Sequence, residues 1–293
     1  MTAPDKPETG PVFSWLRHLL DRPWPTKSKS LYSRWTQHFP GIPLPIRLPC
    51  GAWWLARNDA MGALLTSTGF ENSERQFVDR FLRPGMTVID VGAHHGYYTL
   101  LASKRVGKRG RVISFEPSPR EQRALSLNLR LNRCKNVIVE GLALSDENGE
   151  SDLYVLEDRA SGCNSLKPPD VSAHMSHQRV KVARLDQCLA NLGVDQVDFI
   201  KLDVEGGELA ALQGAGELLT RRPRPVILAE VQDVRTQPWG YRARDILAYL
   251  SDRGYRWFGL QKNGDLERLD LSPSYFEGNF VAWPEEALEG CGF

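Results

Sequence analysis

Cysteine is scarce and unpatterned in this chain of 293 residues, which carries five cysteines and no Cys-x-x-Cys pair. Scattered cysteines in odd number argue against a disulfide scaffold or a zinc knuckle, and they favour a reducing compartment such as the cytoplasm. No apolar run approaches the ~20 residues of a membrane span, and the acidic, proline-bearing start differs from a signal peptide. The net charge is only +1, so no strong global field favours nucleic acid.

The chain does contain a glycine-bearing corner in residues 87–99. An apolar run meets Asp90, the glycines Gly92 and Gly96 follow, and an apolar-periodic segment then begins, which predicts a buried strand, a tight turn and a helix. Such a corner binds nucleotides in parallel sheets. A dinucleotide fingerprint would need glycine at His94 and Tyr97. The pattern therefore favours a ligand that lies against the loop without phosphates, such as S-adenosylmethionine; a turn that binds nothing is the alternative.

Strands and helices alternate after residue 85, in a chain of ordinary globular composition with 41% hydrophobic residues. This alternation predicts an α/β fold with a doubly wound, mostly parallel sheet. Residues 147–184 break the alternation and predict a hairpin-like insertion. We therefore divide the chain into an N-terminal arm or lid, 1–65, and a main domain, 66–293. The predicted strands are 86–91, 111–116, 136–140, 197–203, 225–230, 255–260 and 279–283.

The N-terminal arm contains a short candidate amphipathic helix at 12–21 and then a basic stretch that includes Trp24 and Trp35. Such an arm could make a peripheral contact with a membrane surface. The short helix and the modest charge favour the alternative that the arm packs on its own domain or on a second copy of the chain in a homodimer. In the insertion, His174 and His177 have the spacing of helical metal ligands, but their surroundings are polar and lack cysteine, so no metal is expected there.

Acidic residues end three of the predicted strands. Glu116 ends the second strand, where an acid usually binds a ribose, because a carboxylate accepts strong hydrogen bonds from hydroxyl groups. Asp203 and Glu205 end the fourth strand, and alternation places them on the same side as Lys201. Glu230 ends the fifth strand and would face the same crevice. The alternatives are a solvated acid at Glu116 and an ion pair of Lys201 with Asp203 that only fixes the strand end.

Methyl transfer would give these acids a chemical role. The acceptor atom must lie close to the methyl carbon, and an aliphatic hydroxyl also needs a base near its proton. Asp203, Glu205 and Glu230 are the available carboxylates. Two of them could bind Mg²⁺, but an oxygen-ligand site needs more ligands than the pattern supplies. His94 and His95 could contact the methionine part of the cofactor, act as a base, or only fill the loop.

Six segments of the chain together resemble the FkbM-type S-adenosylmethionine-dependent methyltransferases, over about residues 70–260. The Lys-x-Asp-Val-Glu-Gly element after Phe-Glu-Pro is much more specific than the glycine motif. The resemblance implies a seven-stranded, Rossmann-like methyltransferase sheet and, usually, O-methylation of a hydroxyl of a sugar, a glycolipid or other lipid, or a secondary metabolite. The six segments are Val88–Thr99, Phe115–Pro117, Ala143–Asp146, Leu185–Asp186, Ile200–Gly206 and Ile227–Glu230.

The matching positions imply the site residues. The chain departs from the family pattern at His94-His95, where family members commonly carry Asn at the first position, so the resemblance does not fix the cofactor contacts of this loop. Residues near the adenine would be 143–146, and no metal ligand is predicted. The implied cofactor contacts are Asp90, Gly92, His94, Gly96, Tyr98, Thr99, Glu116, Pro117, Ala143, Leu144, Ser145 and Asp203. The implied residues for acceptor positioning and base work are Lys201, Asp203, Glu205 and Glu230.

Two rival functions stand beside an O-methyltransferase. The first is a nucleic-acid or protein methyltransferase; a nucleic-acid acceptor would require a basic face or an aromatic-flanked Asn/Asp-Pro-Pro-Tyr/Trp motif, and neither is present. The second is a non-catalytic scaffold, which the joint retention of Asp90, Glu116 and Asp203 disfavours. The expected partner is a small-molecule or glycan acceptor and no nucleic acid. Aromatic residues that could stack on it are Trp53, Trp54, Trp239 and Tyr241.

Overall fold

The computed structural model describes residues 28–67, 70–156, 164–168 and 175–288. In this part of the chain the strands are β1 Leu44–Arg47, β2 Trp53–Ala56, β3 Thr87–Val91, β4 Arg111–Phe115, β5 Val137–Glu140, β6 Ala143–Leu144, β7 Gly149–Leu156, β8 Met175–Ala183, β9 Phe199–Leu202, β10 Val226–Gln232, β11 Tyr255–Leu260, β12 Leu266–Arg268 and β13 Glu277–Pro284. The α-helices are α1 Ser28–His38, α2 Ala60–Thr66, α3 Asn72–Phe81, α4 Tyr97–Val106, α5 Pro119–Leu131, α6 Leu185–Leu192, α7 Glu208–Gln213, α8 Asp233–Thr236, α9 Ala243–Ser251 and α10 Glu285–Leu288.

The central sheet has eight strands in the order β12-β11-β13-β10-β9-β3-β4-β5. Strands β10, β9, β3, β4 and β5 are parallel, whereas β13 is antiparallel to both β10 and β11. The predicted α/β fold and its mostly parallel sheet are confirmed, and all seven predicted strands are present. The count of seven is one short, because the brief edge strand β12 pairs with β11 and its three residues carry too little pattern to be recognised.

Alternation along the strands directs side chains to the two faces of the sheet. Ile89 and Ile113 join a large apolar cluster with α6, α7 and α9 on one face. Val88 and Val112 join a second cluster with α3 and α4 on the other. Because β3, β4, β9 and β10 run in parallel, their carboxyl ends meet at one edge, where ligands bind in open α/β sheets.

The predicted insertion contains an antiparallel hairpin. Strands β7 and β8 pair from Gly149 opposite Val182 to Leu156 opposite Met175, and β6 completes a three-stranded sheet. Residues 164–168 contact this hairpin through a bridge between Ser165 and Tyr154. His177 lies on β8 and not on a helix, so the helical ligand spacing does not apply; His174 lies outside the described residues.

The described part of the N-terminal arm packs against the main sheet domain. The two-stranded sheet of β1 and β2 buries Trp54 completely, in a cluster that also contains Ala93 and Tyr97 from the glycine corner. Side-chain amides of Asn128 and Asn132 bind the backbone of β2 at 2.6–3.0 Å. The candidate helix at 12–21 and Trp24 lie outside the described residues. Within them, no helix is long and apolar enough to cross a membrane.

Candidate active site

A cavity of about 390 Å³ opens at the carboxyl ends of the central parallel strands. Most of the residues predicted for the site line it, so the structure brings the two ends of the predicted site into one space. Gly96, Thr99 and Ser145 are the predicted residues that do not line it. Those that do are Asp90, Gly92, His94, Tyr98, Glu116, Pro117, Ala143, Leu144, Lys201, Asp203, Glu205 and Glu230.

The glycine corner joins two strands by close backbone contact. Gly92 has a φ of +79°, and a Cβ placed there would lie 1.8 Å from the carbonyl oxygen of Asp203. Gly96 has a φ of +91°, and its Cβ would lie 2.4 Å from Leu125 Cδ1. The first glycine therefore allows β3 and β9 to end side by side, and the second allows α4 to start against α5.

Asp90 and Thr99 fix the corner from beneath. Thr99 Oγ1 donates a hydrogen bond to Asp90 Oδ2 at 2.5 Å and lies 2.9 Å from Ser114 Oγ. Burial raises the pKa of Asp90 to about 6, because a charged carboxylate is disfavoured away from water. Thr99 does not line the cavity itself; it holds the side chain of Asp90, which does.

Glu116 is held by two backbone amides at the end of β4. The N–H of His94 donates to Glu116 Oε2 at 2.7 Å, and the N–H of Ser118 donates to Oε1 at 2.8 Å. Burial raises the pKa of Glu116 to about 8, although both amide bonds oppose this shift. The side chain is therefore fixed in orientation where it lines the cavity.

The raised pKa of Glu116 gives a testable pH dependence of stability. Between its ordinary pKa of 4.5 and about 8, the folded protein keeps a proton that the unfolded chain has lost. Stability should then fall as pH rises through this window, by up to about 1.4 kcal/mol per pH unit for one group. Glu116→Gln should flatten the profile in urea unfolding across this range, and the exposed control Glu147→Gln should not. Parallel profiles for the wild type and Glu116→Gln would contradict the assignment.

Lys201 is the buried cation at the opposite end of the cavity. It is 2% exposed, and its Nζ donates to Asp203 Oδ2 at 3.1 Å and lies 5.3 Å from the ring centre of Tyr98. Burial alone would lower the pKa of Lys201, but the charges of Asp203, Glu71 and Glu230 outweigh this and raise it. The ammonium therefore stays charged and balances several acids.

Glu230 has one oxygen committed and one available. Its Oε1 accepts a hydrogen bond from Gln232 Nε2 at 2.9 Å, whereas Oε2 is buried without a hydrogen-bond partner among the described residues. Burial, reinforced by the nearby carboxylates of Asp203 and Glu205, raises the pKa of Glu230 well above its ordinary value. The unpaired Oε2 is therefore the atom of this carboxyl group that a ligand hydroxyl could reach as a hydrogen-bond donor.

Glu205 has a left-handed backbone, with a φ of +56°. Its Oε2 lies 2.8 Å from Arg235 Nε. One oxygen each from Glu205, Asp203 and Glu230 lie within 4.8 Å of one another, a spacing that a divalent cation could bridge. Lys201 pairs with Asp203 and Arg235 pairs with Glu205, which leaves Glu230 as the acid of this cluster without an ion pair among the described residues.

Several residues that line the cavity could not be predicted from the sequence. Glu71, the residue before α3, accepts a hydrogen bond from Tyr98 Oη at 2.5 Å, and burial raises its pKa. Ser165 Oγ donates to the backbone oxygen of Glu205 at 2.8 Å, which ties residues 164–166 to the rim. Neither carries a sequence signal, because both are placed by contacts with distant segments. Of the four aromatics considered for stacking, only Trp239 lines the cavity.

Trp239 is wedged against the Gly206-Gly207 turn. A Cβ on Gly206 would lie 2.8 Å from Trp239 Cδ1, and one on Gly207 would lie 3.0 Å from the indole ring. Beneath the turn, Glu208 Oε1 accepts bonds from the backbone N–H groups of Val204 and Gly206 at 2.9 and 3.3 Å. Burial raises the pKa of Glu208 to about 7. A Cβ on Gly206 would also lie 2.1 Å from the carbonyl oxygen of Arg235, so the double glycine is the sequence signal that another segment of the chain approaches here.

Residues 90–257 match the family model of the Methyltransferase FkbM domain. This match covers more than half of the chain, including the glycine corner, Glu116 and the Lys201–Glu205 segment. The chain belongs to the FkbM methyltransferase family. S-adenosylmethionine is the cofactor of this family's fold, and the resemblance noted from the sequence is confirmed.

Curated relatives of this FkbM-family chain include three bacterial proteins. The AMB antimetabolite synthetase AmbE of Pseudomonas aeruginosa is 27% identical over 227 residues, which is 66% of this chain and 10% of that protein. The 2-O-methyltransferase NoeI of Sinorhizobium fredii is 26% identical over 50% of this chain and 64% of its own length. The ribosomal RNA large subunit methyltransferase E of Alkalilimnicola ehrlichii is 27% identical over 64% of this chain and 82% of its own length. The chain thus spans less than two thirds of the first two relatives.

Solved structures similar to this FkbM-family chain include the methyltransferase FkbM from Methylobacillus flagellatus. It is 16% identical, with a TM-score of 0.44, over 71% of this chain and 50% of that one. Fibrillarin from Aeropyrum pernix, with natively bound S-adenosyl-L-methionine, is 16% identical with a TM-score of 0.40. The match covers 82% of this chain and 93% of fibrillarin.

The cavity residues fit S-adenosylmethionine in their chemistry. Glu116 presents a carboxyl group that could accept hydrogen bonds from ribose hydroxyls. Leu142, Ala143 and Leu144 supply an apolar wall, which suits a purine ring. The acids around Lys201 could interact with the positive charge of the sulfonium. These groups span one cavity from the end of β4 to the ends of β9 and β10.

Proposed function

We propose that this FkbM-family protein is an S-adenosylmethionine-dependent O-methyltransferase that acts on a hydroxyl of a sugar, a glycolipid or a secondary metabolite. The observation that carries the proposal is the buried, partner-free Oε2 of Glu230, in the same cavity as Glu116. One end of the cavity offers a ribose acceptor, and the other offers a base for a hydroxyl proton.

In this proposal, S-adenosylmethionine supplies a methyl group activated by its positively charged sulfur. Glu230 accepts the proton of the acceptor hydroxyl through Oε2, and its raised pKa makes it a stronger base than an ordinary carboxylate. Asp203, fixed by Lys201, and Glu205, fixed by Arg235, position the acceptor. Lys201 keeps the acid cluster near charge balance while the proton moves.

In this proposal, S-adenosylmethionine binds at the end of the cavity that contains Glu116. Glu116 binds the ribose, with Pro117 beside it, and Ala143 and Leu144 contact the adenine. Asp90, Gly92 and Tyr98 shape the wall near the methionine part. Gly96, Thr99 and Ser145 act from behind the wall, because they do not reach the cavity. The three described cysteines, Cys50, Cys134 and Cys188, are free thiols, which supports a cytoplasmic location.

The acceptor class has some support from the relatives. The name of NoeI describes it as a 2-O-methyltransferase, which favours a hydroxyl acceptor. The name of another relative describes it as a ribosomal RNA methyltransferase, so RNA is the competing acceptor to be tested. A scaffold without catalysis would have no use for the buried base at Glu230.

Two measurements test this proposal. Calorimetric titration should show that the purified protein binds S-adenosylmethionine. Methyl-labelled cofactor incubated with small-molecule, glycolipid and RNA fractions of the native host should label a small-molecule or glycolipid fraction. Label only in RNA would overturn the acceptor class, label in no fraction would overturn catalysis, and absence of binding would overturn the proposal as a whole.

Replacement of the proposed base gives a sharper result. Glu230→Gln should lower kcat on the labelled acceptor by roughly 10²- to 10⁴-fold, the usual contribution of a general base. The affinity for S-adenosylmethionine should change by less than about twofold, because the ribose acceptor lies at the other end. The exposed variant Glu147→Gln provides the control. A kcat within threefold of the wild type would remove Glu230 from the base role.

A further inference from the structure

Backbone strain in the described part of the chain is concentrated at the cavity. Four non-glycine residues there have a positive φ: Glu71 at 40°, His94 at 48°, Arg133 at 53° and Glu205 at 56°. All except Arg133 line the cavity. Side chains with a Cβ are disfavoured in this conformation, and strain retained at a ligand cavity points to function. Glu71 accepts a hydrogen bond from Tyr98 and Glu205 belongs to the acid cluster, which leaves His94 to be explained.

The His94 ring is fixed by its neighbour. The two imidazoles of His94 and His95 stack with centroids 3.9 Å apart and planes at 17°. His95 Nε2 lies 2.6 Å from Glu121 Oε2, and Arg120 Nε donates to Glu121 Oε1 at 2.7 Å. Burial would raise the pKa of Glu121, but the bond with His95 and the nearby positive charges lower it to about 2. A charged, buried carboxylate therefore anchors the stack.

The far nitrogen of His94 has no hydrogen bond within the described residues. Its Nε2 is buried and lies 3.8 Å from Glu121 Oε2, which is too long for a hydrogen bond. Burial and the neighbouring His95 lower the pKa of His94 to about 4, so the ring is neutral at physiological pH. A neutral imidazole has one donor and one acceptor nitrogen, and leaving one unsatisfied is unfavourable.

The location of His94 identifies the part of the ligand it would reach. Its backbone N–H binds Glu116 Oε2 at 2.7 Å, so the imidazole and the carboxyl group of Glu116 belong to the same corner of the cavity. We propose that His94 Nε2 hydrogen-bonds the ribose of S-adenosylmethionine, so that His94 and Glu116 bind the nucleoside together. This inference rests on the proposed cofactor binding and goes beyond it, because it assigns a ligand contact to the buried, unpartnered Nε2 of His94.

The test compares two substitutions that relieve the same strain. His94→Gly and Arg133→Gly both place glycine at a left-handed position, so each should keep or raise the urea midpoint of unfolding. Calorimetry with S-adenosylmethionine and with 5′-methylthioadenosine, which lacks the amino-acid part, then isolates the ribose contact. His94→Gly should weaken both ligands by about tenfold, the equivalent of one hydrogen bond, whereas Arg133→Gly should leave both affinities unchanged.

The outcomes separate this inference from the proposed function. Wild-type affinity in His94→Gly, or a loss confined to S-adenosylmethionine, would overturn the ribose contact. If His94→Gly proves unstable, His94→Leu, which fills the space without a polar nitrogen, should show the same loss for both ligands, and wild-type affinity there would also overturn it. A wild-type protein that binds neither ligand would instead overturn the cofactor proposal itself.

Discussion

Gly92→Ala is expected to abolish detectable S-adenosylmethionine binding and to destabilise the fold by about 2–5 kcal/mol. The new Cβ would lie 1.8 Å from the carbonyl oxygen of Asp203, a distance that only backbone movement can relieve. The left-handed φ of +79° adds its own penalty for alanine. Asp203 follows β9 and pairs with Lys201. Moving its backbone away from Gly92 would therefore separate the acid cluster from the glycine corner.

Gly85→Ala is the matched control for this substitution. Gly85 also has a left-handed φ, of +97°, but a Cβ there would meet nothing within 4 Å. The Gly85→Ala variant should lose only about 1–2 kcal/mol of unfolding free energy, from the backbone penalty, and its affinity for S-adenosylmethionine should not change. Urea unfolding and calorimetry on both variants measure the difference. Equal stability loss and equal affinity in the two variants would show that the contact between Gly92 and Asp203 does not control the site.

Lys201→Met should destabilise the protein by about 3–5 kcal/mol and leave no measurable methyl transfer. Removing one partner of a buried ion pair leaves an uncompensated charge, which gives this magnitude. Lys201 is 2% exposed and lies 3.1 Å from Asp203. Its charge also acts on Glu71 and Glu230, whose pKa values it lowers against burial. Without it, the pKa of each of these carboxyl groups should rise further.

Two comparisons make the Lys201→Met result interpretable. Arg179→Met breaks an ion pair with Asp152 on the exposed hairpin, where the arginine side chain is 60% exposed, and should change stability by less than about 1 kcal/mol. The deficit of Lys201→Met should shrink as pH falls, because protonated carboxyl groups no longer need a counter-charge. A deficit below about 1 kcal/mol, or one that does not change with pH, would mean that water enters and solvates the acid cluster.

The strand-end residues of the site could be predicted because parallel sheets follow a simple geometric rule. Once the alternation of strands and helices is recognised, the carboxyl ends of β3, β4, β9 and β10 must lie at one edge. Asp90, Glu116, Asp203 and Glu230 lie within the last three residues of these strands or directly after them. The depth of burial did not follow from sequence, since the raised pKa of Glu116 depends on the segments that cover it.

Residues supplied by loops and helix ends could not be predicted in the same way. Glu71 precedes α3 and reaches Tyr98, 27 residues further along the chain. Ser165 reaches Glu205 across 40 residues. Such contacts depend on how segments pack, and no local periodicity records them. The predicted role of Thr99 illustrates the converse: its position in the motif is clear, but only the packing shows that it lies behind Asp90.

The amide side chains of Asn128 and Asn132 have a consequence for the behaviour of this protein in concentrated solution. They satisfy outward-facing backbone groups of β2, as a third strand would. An open strand edge is a template for pairing with another chain. These two asparagines therefore protect the small sheet against edge-to-edge aggregation.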